Sequence, residues 1–302
     1  MQALWDFLTL FGLTETIFQF MLVNIILALS IFITLYTGIF SLANIGFMAI
    51  GAYSGVICTQ TIGLPLWVGL LAGMTAAGIG AYLLGLPILR LHDIYLAIAT
   101  IGFGEIVRIL VLNFDNIVSA VSGQAVVLTG GALGLKGIPK ITQTWHLLVF
   151  IVLVVWILER SAKSRFGRAL RAIRQDELIA SGMGIDVVKM KTAVFILSAV
   201  LAGAAGVFSG HLTRIISPGV YSFSRVVDIL AYAVFGGTVT WLGPVVGAGI
   251  LTAIPEMARP LKAYNQVFNG IILLLVIVYL PNGIVDPGLL RKIAGRIKPR
   301  KE

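Results

Sequence analysis

Two groups of charged residues could do more in this sequence than fill a core, and the larger runs from Arg160 to Lys191. Eight Lys/Arg stand there (Arg160, Lys163, Arg165, Arg168, Arg171, Arg174, Lys189, Lys191), with Glu159 at the edge and Asp176, Glu177 and Asp186 within. One Arg at the centre of a bilayer costs about 2.5 kcal/mol or more, so a block of this kind must lie in water. Its pattern is that of a folded unit. Phe166, Ala169, Leu170 and Ile173 fall on one helical stripe while Arg168, Arg171 and Gln175 face away. The charge sign then flips: Arg171 and Arg174 sit where a helix C-terminus favours cations, and Asp176 and Glu177 where a helix N-terminus favours anions. Two short helices broken near Gln175 are expected, the second running through Leu178, Ile179 and Ala180 to stop signals at Gly182 and Gly184. A solvated basic loop explains the charge but leaves the stripe unexplained; a docking knob for a soluble partner explains both.

The second group is Glu105 and Arg108, one helical turn apart in an otherwise apolar stretch. They either neutralise each other structurally or line a polar path. Asp228 is read as lying near an outer interface and reaching water. Other chemistries lack their residues. No G-x-x-x-x-G-K-[ST] loop occurs, so ATP is not expected on this chain, and His92, His146 and His211 are scattered without metal-ligand spacing. Ala52-Tyr53-Ser54-Gly55 falls short of an intramembrane serine nucleophile, because Ala52 stands where a glycine is needed and no histidine pairs with it. Cys58 is alone, so no disulfide framework is expected.

The elements that must position these residues are membrane spans. The 302 residues are 58% hydrophobic and 12% charged, outside the range of soluble domains, and several stretches reach the roughly 20 apolar residues that cross a bilayer. The net charge of +9 does not indicate nucleic acid, because eight of the 22 Lys/Arg lie in the central block and six in the tail (Arg291, Lys292, Arg296, Lys298, Arg300, Lys301), as orientation demands. The fold expected is an all-α polytopic membrane protein of about nine transmembrane helices, eight to ten, with the N-terminus outside and the C-terminus cytoplasmic. Spans are read at 17–37, 41–60 (irregular, interrupted by glycines), 64–89, 94–112, 145–158, 192–210, 226–257 and 267–280, with breaks at Pro218-Gly219 and Gly236-Gly237. The first is read as an uncleaved anchor. Residues 113–144 form an external segment.

A shift of 168 residues without a gap places Gly38, Phe40 and Ser41 on Gly206, Phe208 and Ser209, and Gly51, Tyr53 and Ser54 on Gly219, Tyr221 and Ser222. This divides the single transmembrane domain into half one (about 17–112), a linking span (145–158), the cytoplasmic block (159–191), half two (about 192–282) and a basic tail (283–302). The second half enters from the opposite side. Such an inverted repeat, with broken or re-entrant elements, is the sequence sign of a transporter whose path lies between the halves. Here that path would be lined by Gly46, Gly51, Tyr53, Ser54, Gly102, Glu105, Arg108, Gly219, Tyr221 and Ser222. Leu at Gly51 or Gly219 is expected to block it.

The run Ser164 to Arg174 (SRFGRALRAIR), continuing to Gly184-Ile185-Asp186, resembles the cytoplasmic loop of the branched-chain amino acid ABC transporter permeases, most closely their LivM-type subunit. Tyr95–Arg108 (YLAIATIGFGEIVR), Thr129–Pro139 (TGGALGLKGIP), Gly38–Tyr53 and Gly236–Ala248 (GGTVTWLGPVVGA) resemble further segments of that family. The resemblance implies a bacterial inner-membrane importer with a second permease subunit, in a heterodimer, two ATP-binding subunits that carry the ATP, and a periplasmic binding protein. Arg171, Arg174, Asp176, Glu177, Ala180, Gly182 and Gly184 would then couple to the ATPase, and a bulky charge at Ala180 would abolish uptake. Thr129, Gly130, Gly131 and Gly134 would give the external segment the mobility of a docking loop for the binding protein. The cargo implied is a branched-chain or other neutral amino acid; permeases for urea and short amides share the motifs, and a self-contained channel or secondary transporter is the alternative class. The cancelling charges of Glu105 and Arg108 fit a neutral or zwitterionic cargo.

Overall fold

The computed structural model describes residues 14–91, 93–124 and 127–257, with isolated positions between 267 and 285. Thr14 opens helix α1 (Glu15–Tyr36), its hydroxyl accepting from the amide of Ile17 at 3.4 Å. There follow α2 (Asn44–Thr61), α3 (Leu66–Ile88), α4 (Asp93–Ser122), a 3₁₀ turn (Gly131–Leu133), strand β1 (Leu135–Lys136) and α5 (Thr144–Lys163). Beyond them lie α6 (Arg165–Gln175), α7 (Glu177–Gly182), α8 (Val187–Thr213), strand β2 (Ile215–Ile216), a second 3₁₀ turn (Pro218–Tyr221), α9 (Phe223–Gly236) and α10 (Leu242–Met257).

Among the described residues five helices, α1, α3, α4, α5 and α8, are long and apolar enough to cross a membrane. Of these, α1 and α8 are the central pair, with 72% of each span buried against 28% in α4 and α5. A helix apolar all round belongs inside a bundle. α8 packs on α2 and α3, which also pack on each other, and α1 packs on α9 and α10, which do the same; α1 and α8 meet between the two groups.

Small residues set the first of these seams. A Cβ added at Gly51 of α2 would lie 2.3 Å from the Cα of Gly203, and one at Gly206 would lie 2.1 Å from the carbonyl oxygen of Met48. Backbones brought this close gain dispersion contacts that larger side chains would prevent. Asn44 adds a buried polar tie, its amide donating to Ser198 Oγ at 2.9 Å and to the hydroxyl of Ser30.

Several expectations change. The stretch 41–60, expected to be irregular, is a regular helix from Asn44, because its glycines receive neighbouring helices instead of breaking their own. The span expected to end at Leu112 runs on to Ser122. The connection between α4 and α5, expected to be an external segment, is pinned. Asp115 accepts from the amides of Leu128 at 2.9 Å and Thr129 at 2.7 Å, β1 pairs antiparallel with β2 (Leu135 opposite Ile216), and Gln60 donates to the Lys136 carbonyl at 3.1 Å. Gly130 and Gly134 have φ of +71° and +69°, and a Cβ at Gly134 would lie 1.9 Å from the Ile216 carbonyl oxygen. Glycine is there for turn geometry and close approach, not for mobility.

The helix breaks at Gln175, Pro218-Gly219 and Gly236-Gly237 stand where the sequence placed them. The gapless 168-residue register sets Gly38, in a turn at φ +85°, against Gly206 in the interior of α8. Most of the span expected at 267–280 and of the basic tail lies outside the described residues.

Candidate functional site

Outside the spans, α6 and α7 form one capped unit. Ser164 closes the α5–α6 corner as N-cap, accepting from the Gly167 amide at 3.5 Å. A Cβ at Gly167 would come within 2.5 Å of the carbonyl oxygens of Ser161 and Ala162, so the sharp corner requires glycine. The stripe read from the sequence is the buried face, with Leu170 4% and Ile173 2% exposed. Asp176 caps α7, accepting from the amides of Leu178 at 2.8 Å and Ile179 at 3.0 Å. Gly184, at φ +81°, ends the unit.

Its charged residues are tied to three separate membrane elements. Arg171 donates to the Tyr36 hydroxyl at the end of α1 and to the Ala162 carbonyl, both at 3.0 Å. Arg174 donates to the Thr238 carbonyl, in the α9–α10 connection, at 3.4 Å. Glu177 pairs with Lys191 at the start of α8. A displacement of the unit would therefore pull on α1, on the α9–α10 connection and on α8 together.

Ala180 is 2% exposed and lies beneath α7, where the Ile185 amide donates to its carbonyl at 3.2 Å. A partner cannot reach it, and a bulky charge there would unseat α7 before it met anything else. The residues that do face outward are Leu178, Ile179 and Met183, at 85, 62 and 76% exposure. Their signal was present in the sequence as large apolar residues following the acidic start of the second short helix.

On the opposite face, Tyr53 of α2 and Tyr221 of the second 3₁₀ turn are both buried, with ring centroids 6.2 Å apart. Burial pushes the Tyr221 phenol well above its ordinary range, so it stays neutral. The Tyr53 hydroxyl has no hydrogen-bond partner among the described residues. Ser54 is turned back onto its own helix, donating to the Ile50 carbonyl at 2.6 Å, while Gly219 is open to the surface. Gly46 packs against Phe103 and Gly104, and Gly51 against Gly203, so both serve helix contacts.

Glu105 and Arg108 do form an ion pair, on a partly exposed flank of α4 where Gly102 also opens outward. A polar network that the sequence reading missed lies between α1, α9 and α10. Arg225 donates to Asn24 Oδ1 at 2.6 Å, Asn24 donates to Thr252 Oγ1 at 3.0 Å, and Asp228 lies 3.9 Å from the Arg225 guanidinium. Asp228 is 8% exposed, so it is held in this network and does not simply reach water. No cluster of His, Cys, Asp or Glu suited to a metal occurs among the described residues.

Fold and site together define a multi-pass helical membrane protein with a capped two-helix unit outside its long spans. Residues 13–280 match the family described as the branched-chain amino acid transport system / permease component, and the chain belongs to that family. It is 31% identical to the high-affinity branched-chain amino acid transport system permease protein LivM of Salmonella typhimurium and 32% identical to that of Escherichia coli, in each case over 93% of this chain and 72% of the relative. It is 31% identical to the Escherichia coli permease protein LivH over 43% of this chain and 42% of that one. No solved structure matches it.

Proposed function

We propose that this chain is the membrane-spanning permease subunit of an ATP-binding-cassette importer that carries branched-chain or other neutral amino acids across a bacterial inner membrane. The observation that carries the reading is α7, a capped helix with three large apolar residues uncovered and its charged neighbours bonded to α1, α8 and the α9–α10 connection. That is what a unit passing on the motion of a soluble motor requires. ATP would be held by two partner subunits docked on this element. The concentration of Lys/Arg in 159–191 supports a cytoplasmic position for it, which puts the Thr14 end of α1 outside and the tail inside. The exchange of packing partners between α1 and α8 supports an inverted repeat, with α1–α4 as one half and α8 onward as the other.

The path in this reading follows the flank of α4 that bears Gly102, Glu105 and Arg108, and reaches Tyr53, Gly219, Tyr221 and Ser222 on the outer side. Side chains of an ion pair that are 42% and 29% exposed are poorly placed against lipid, which supports cover by a second permease subunit and by water between the two. Matches to both LivM and LivH support a heterodimer. The pinned external connection at Thr129, Gly130, Gly131 and Gly134 would receive the periplasmic binding protein. Reconstitution with the two ATPases and the binding protein should give leucine uptake that stops when ATP is withheld. Uptake by this chain alone, driven by an ion gradient, would overturn the reading, and a binding protein that takes urea or an amide but no amino acid would overturn the cargo alone.

A further inference from the structure

The described residues leave a cleft of about 410 Å³ at the 159–191 face, between the end of α1, the α5–α6 corner, α8 and the α9–α10 connection. Its inner wall is apolar, with Phe32, Ile33, Leu158 and Leu197 continuing the membrane-spanning surfaces. Its rim carries Arg171, Lys163 and Glu159, one net positive charge. Arg171 is fixed there by its bonds to Tyr36 and Ala162, and Lys163 lies beside it in a 2.6 Å pair with Glu159. Arg168 is held at the same corner by donating to the Lys163 carbonyl at 3.3 Å. Tyr36 and Trp241, ring side chains with one polar edge, also line the rim, as such residues do at the level of lipid headgroups. Thr240 lines the cleft as well, and its hydroxyl oxygen is buried with no hydrogen-bond partner among the described residues.

We propose that this cleft binds one anionic phospholipid of the adjoining leaflet, an acyl chain lying along Phe32, Ile33, Leu158 and Leu197 and the phosphate meeting Arg171, Lys163 and the Thr240 hydroxyl. The charge of the rim selects this occupant over the chain's own tail. The amides of Ile284 and Val285 donate to the carbonyls of Phe235 and Gly236, which sets Val285 close to the α9–α10 connection, and residues 286–302 follow it in sequence. That segment carries Arg291, Lys292, Arg296, Lys298, Arg300 and Lys301, and like charge opposes its entry past Arg171 and Lys163. A zwitterionic lipid would fill the apolar wall but gain less at the rim, and a free phosphate would gain the rim but leave the wall empty. A lipid seated there would rest against α6 and stiffen its link to α1, so anionic lipid content would tune coupling.

The test is native mass spectrometry of the full-length chain after delipidation, with phosphatidylglycerol, phosphatidylcholine of the same acyl chains and glycerophosphoglycerol added in parallel. The first phosphatidylglycerol should be retained about fivefold or more over phosphatidylcholine, the factor that one cation gains from a headgroup of net negative charge, since the choline ammonium offsets the phosphate of the other. Arg171→Gln should bring the two lipids near parity, Leu197→Trp should lower retention of both, and the acyl-free headgroup should not be retained. Equal retention of both lipids by the unsubstituted chain would overturn the proposal, as would a preference that neither substitution changes. A rise in lipid retention on removing residues 286–302 would assign the cleft to the tail and overturn it as well.

Discussion

The seam where α2 and α3 meet α8 and the short helix α7 outside it use apolar residues in opposite ways. In the seam the residues are small and wholly enclosed, and the Cβ positions of Gly51 and Gly206 are already filled by the backbone of the facing helix. On α7 and its C-cap they are large and open, with Leu178, Ile179 and Met183 standing away from the body while Ala180 of α7 and Ile173 of α6 anchor beneath. The first arrangement leaves no room for a ligand and holds the fold. The second leaves apolar surface uncovered on a helix too short to be stable alone, which the proposed docking of a partner would cover.

The largest effect that sharpens this contrast is at two glycines that the sequence repeat treats as mates. Gly51→Leu should prevent stable folding, since even a Cβ would lie 2.3 Å from Gly203, and overpacking a tight core costs about 1–3 kcal/mol or more. Gly219→Leu should leave melting unchanged, because nothing lies within 4 Å of its Cβ position. If the path passes Gly219, this second variant should still lose uptake. Thermal unfolding of both variants in detergent, with uptake measured for whichever folds, checks the pair. Equal loss of stability in the two would break the contrast.

The sequence made the five long apolar spans, the two-helix unit and its break at Gln175 legible, because apolar length, a helical stripe and a flip of charge sign are local signals, while the expected count of about nine is not reached among the described residues. It could not tell a glycine that opens a path from one that admits a neighbouring helix. Gly51 and Gly219 have the same local pattern, and only the facing backbone distinguishes them. For the same reason Ala180 was read as a contact residue, since a small residue on a short helix does not disclose which side is covered. The network of Arg225, Asn24 and Thr252 joins residues up to 228 positions apart and leaves no local trace. The pinned connection between α4 and α5 was misread as mobile because a left-handed glycine and a flexible one look alike in sequence.

A smaller effect concerns pH at the junction between the α6–α7 unit and α8. Asp186 caps α8, accepting from the Lys189 amide at 3.1 Å, and the Lys189 ammonium 2.9 Å away holds its carboxyl below the ordinary carboxylate range. A lowered carboxyl pKa contributes above its unfolded value and is lost as pH falls through the folded one. Hydrogen exchange at the first turn of α8 should therefore be flat near neutrality and accelerate, after correction for intrinsic rates, only on acidification below the usual carboxylate range. Asp186→Asn should remove most of that acid response. An unchanged response in that variant would assign it elsewhere.

The central claim is that the uncovered residues of α7 receive the ATPase, and affinity for that subunit tests it most directly. Purified ATPase would be titrated onto the chain in nanodiscs, unsubstituted, as Leu178→Asp with Ile179→Asp, and as Ala180→Gly. Loss of central apolar anchors costs about 2 kcal/mol or more, roughly thirtyfold in affinity, so the double variant should bind at least that much more weakly with its melting unchanged. Ala180→Gly should bind nearly as the unsubstituted chain does. Undiminished ATPase binding and uptake in the double variant would contradict the account.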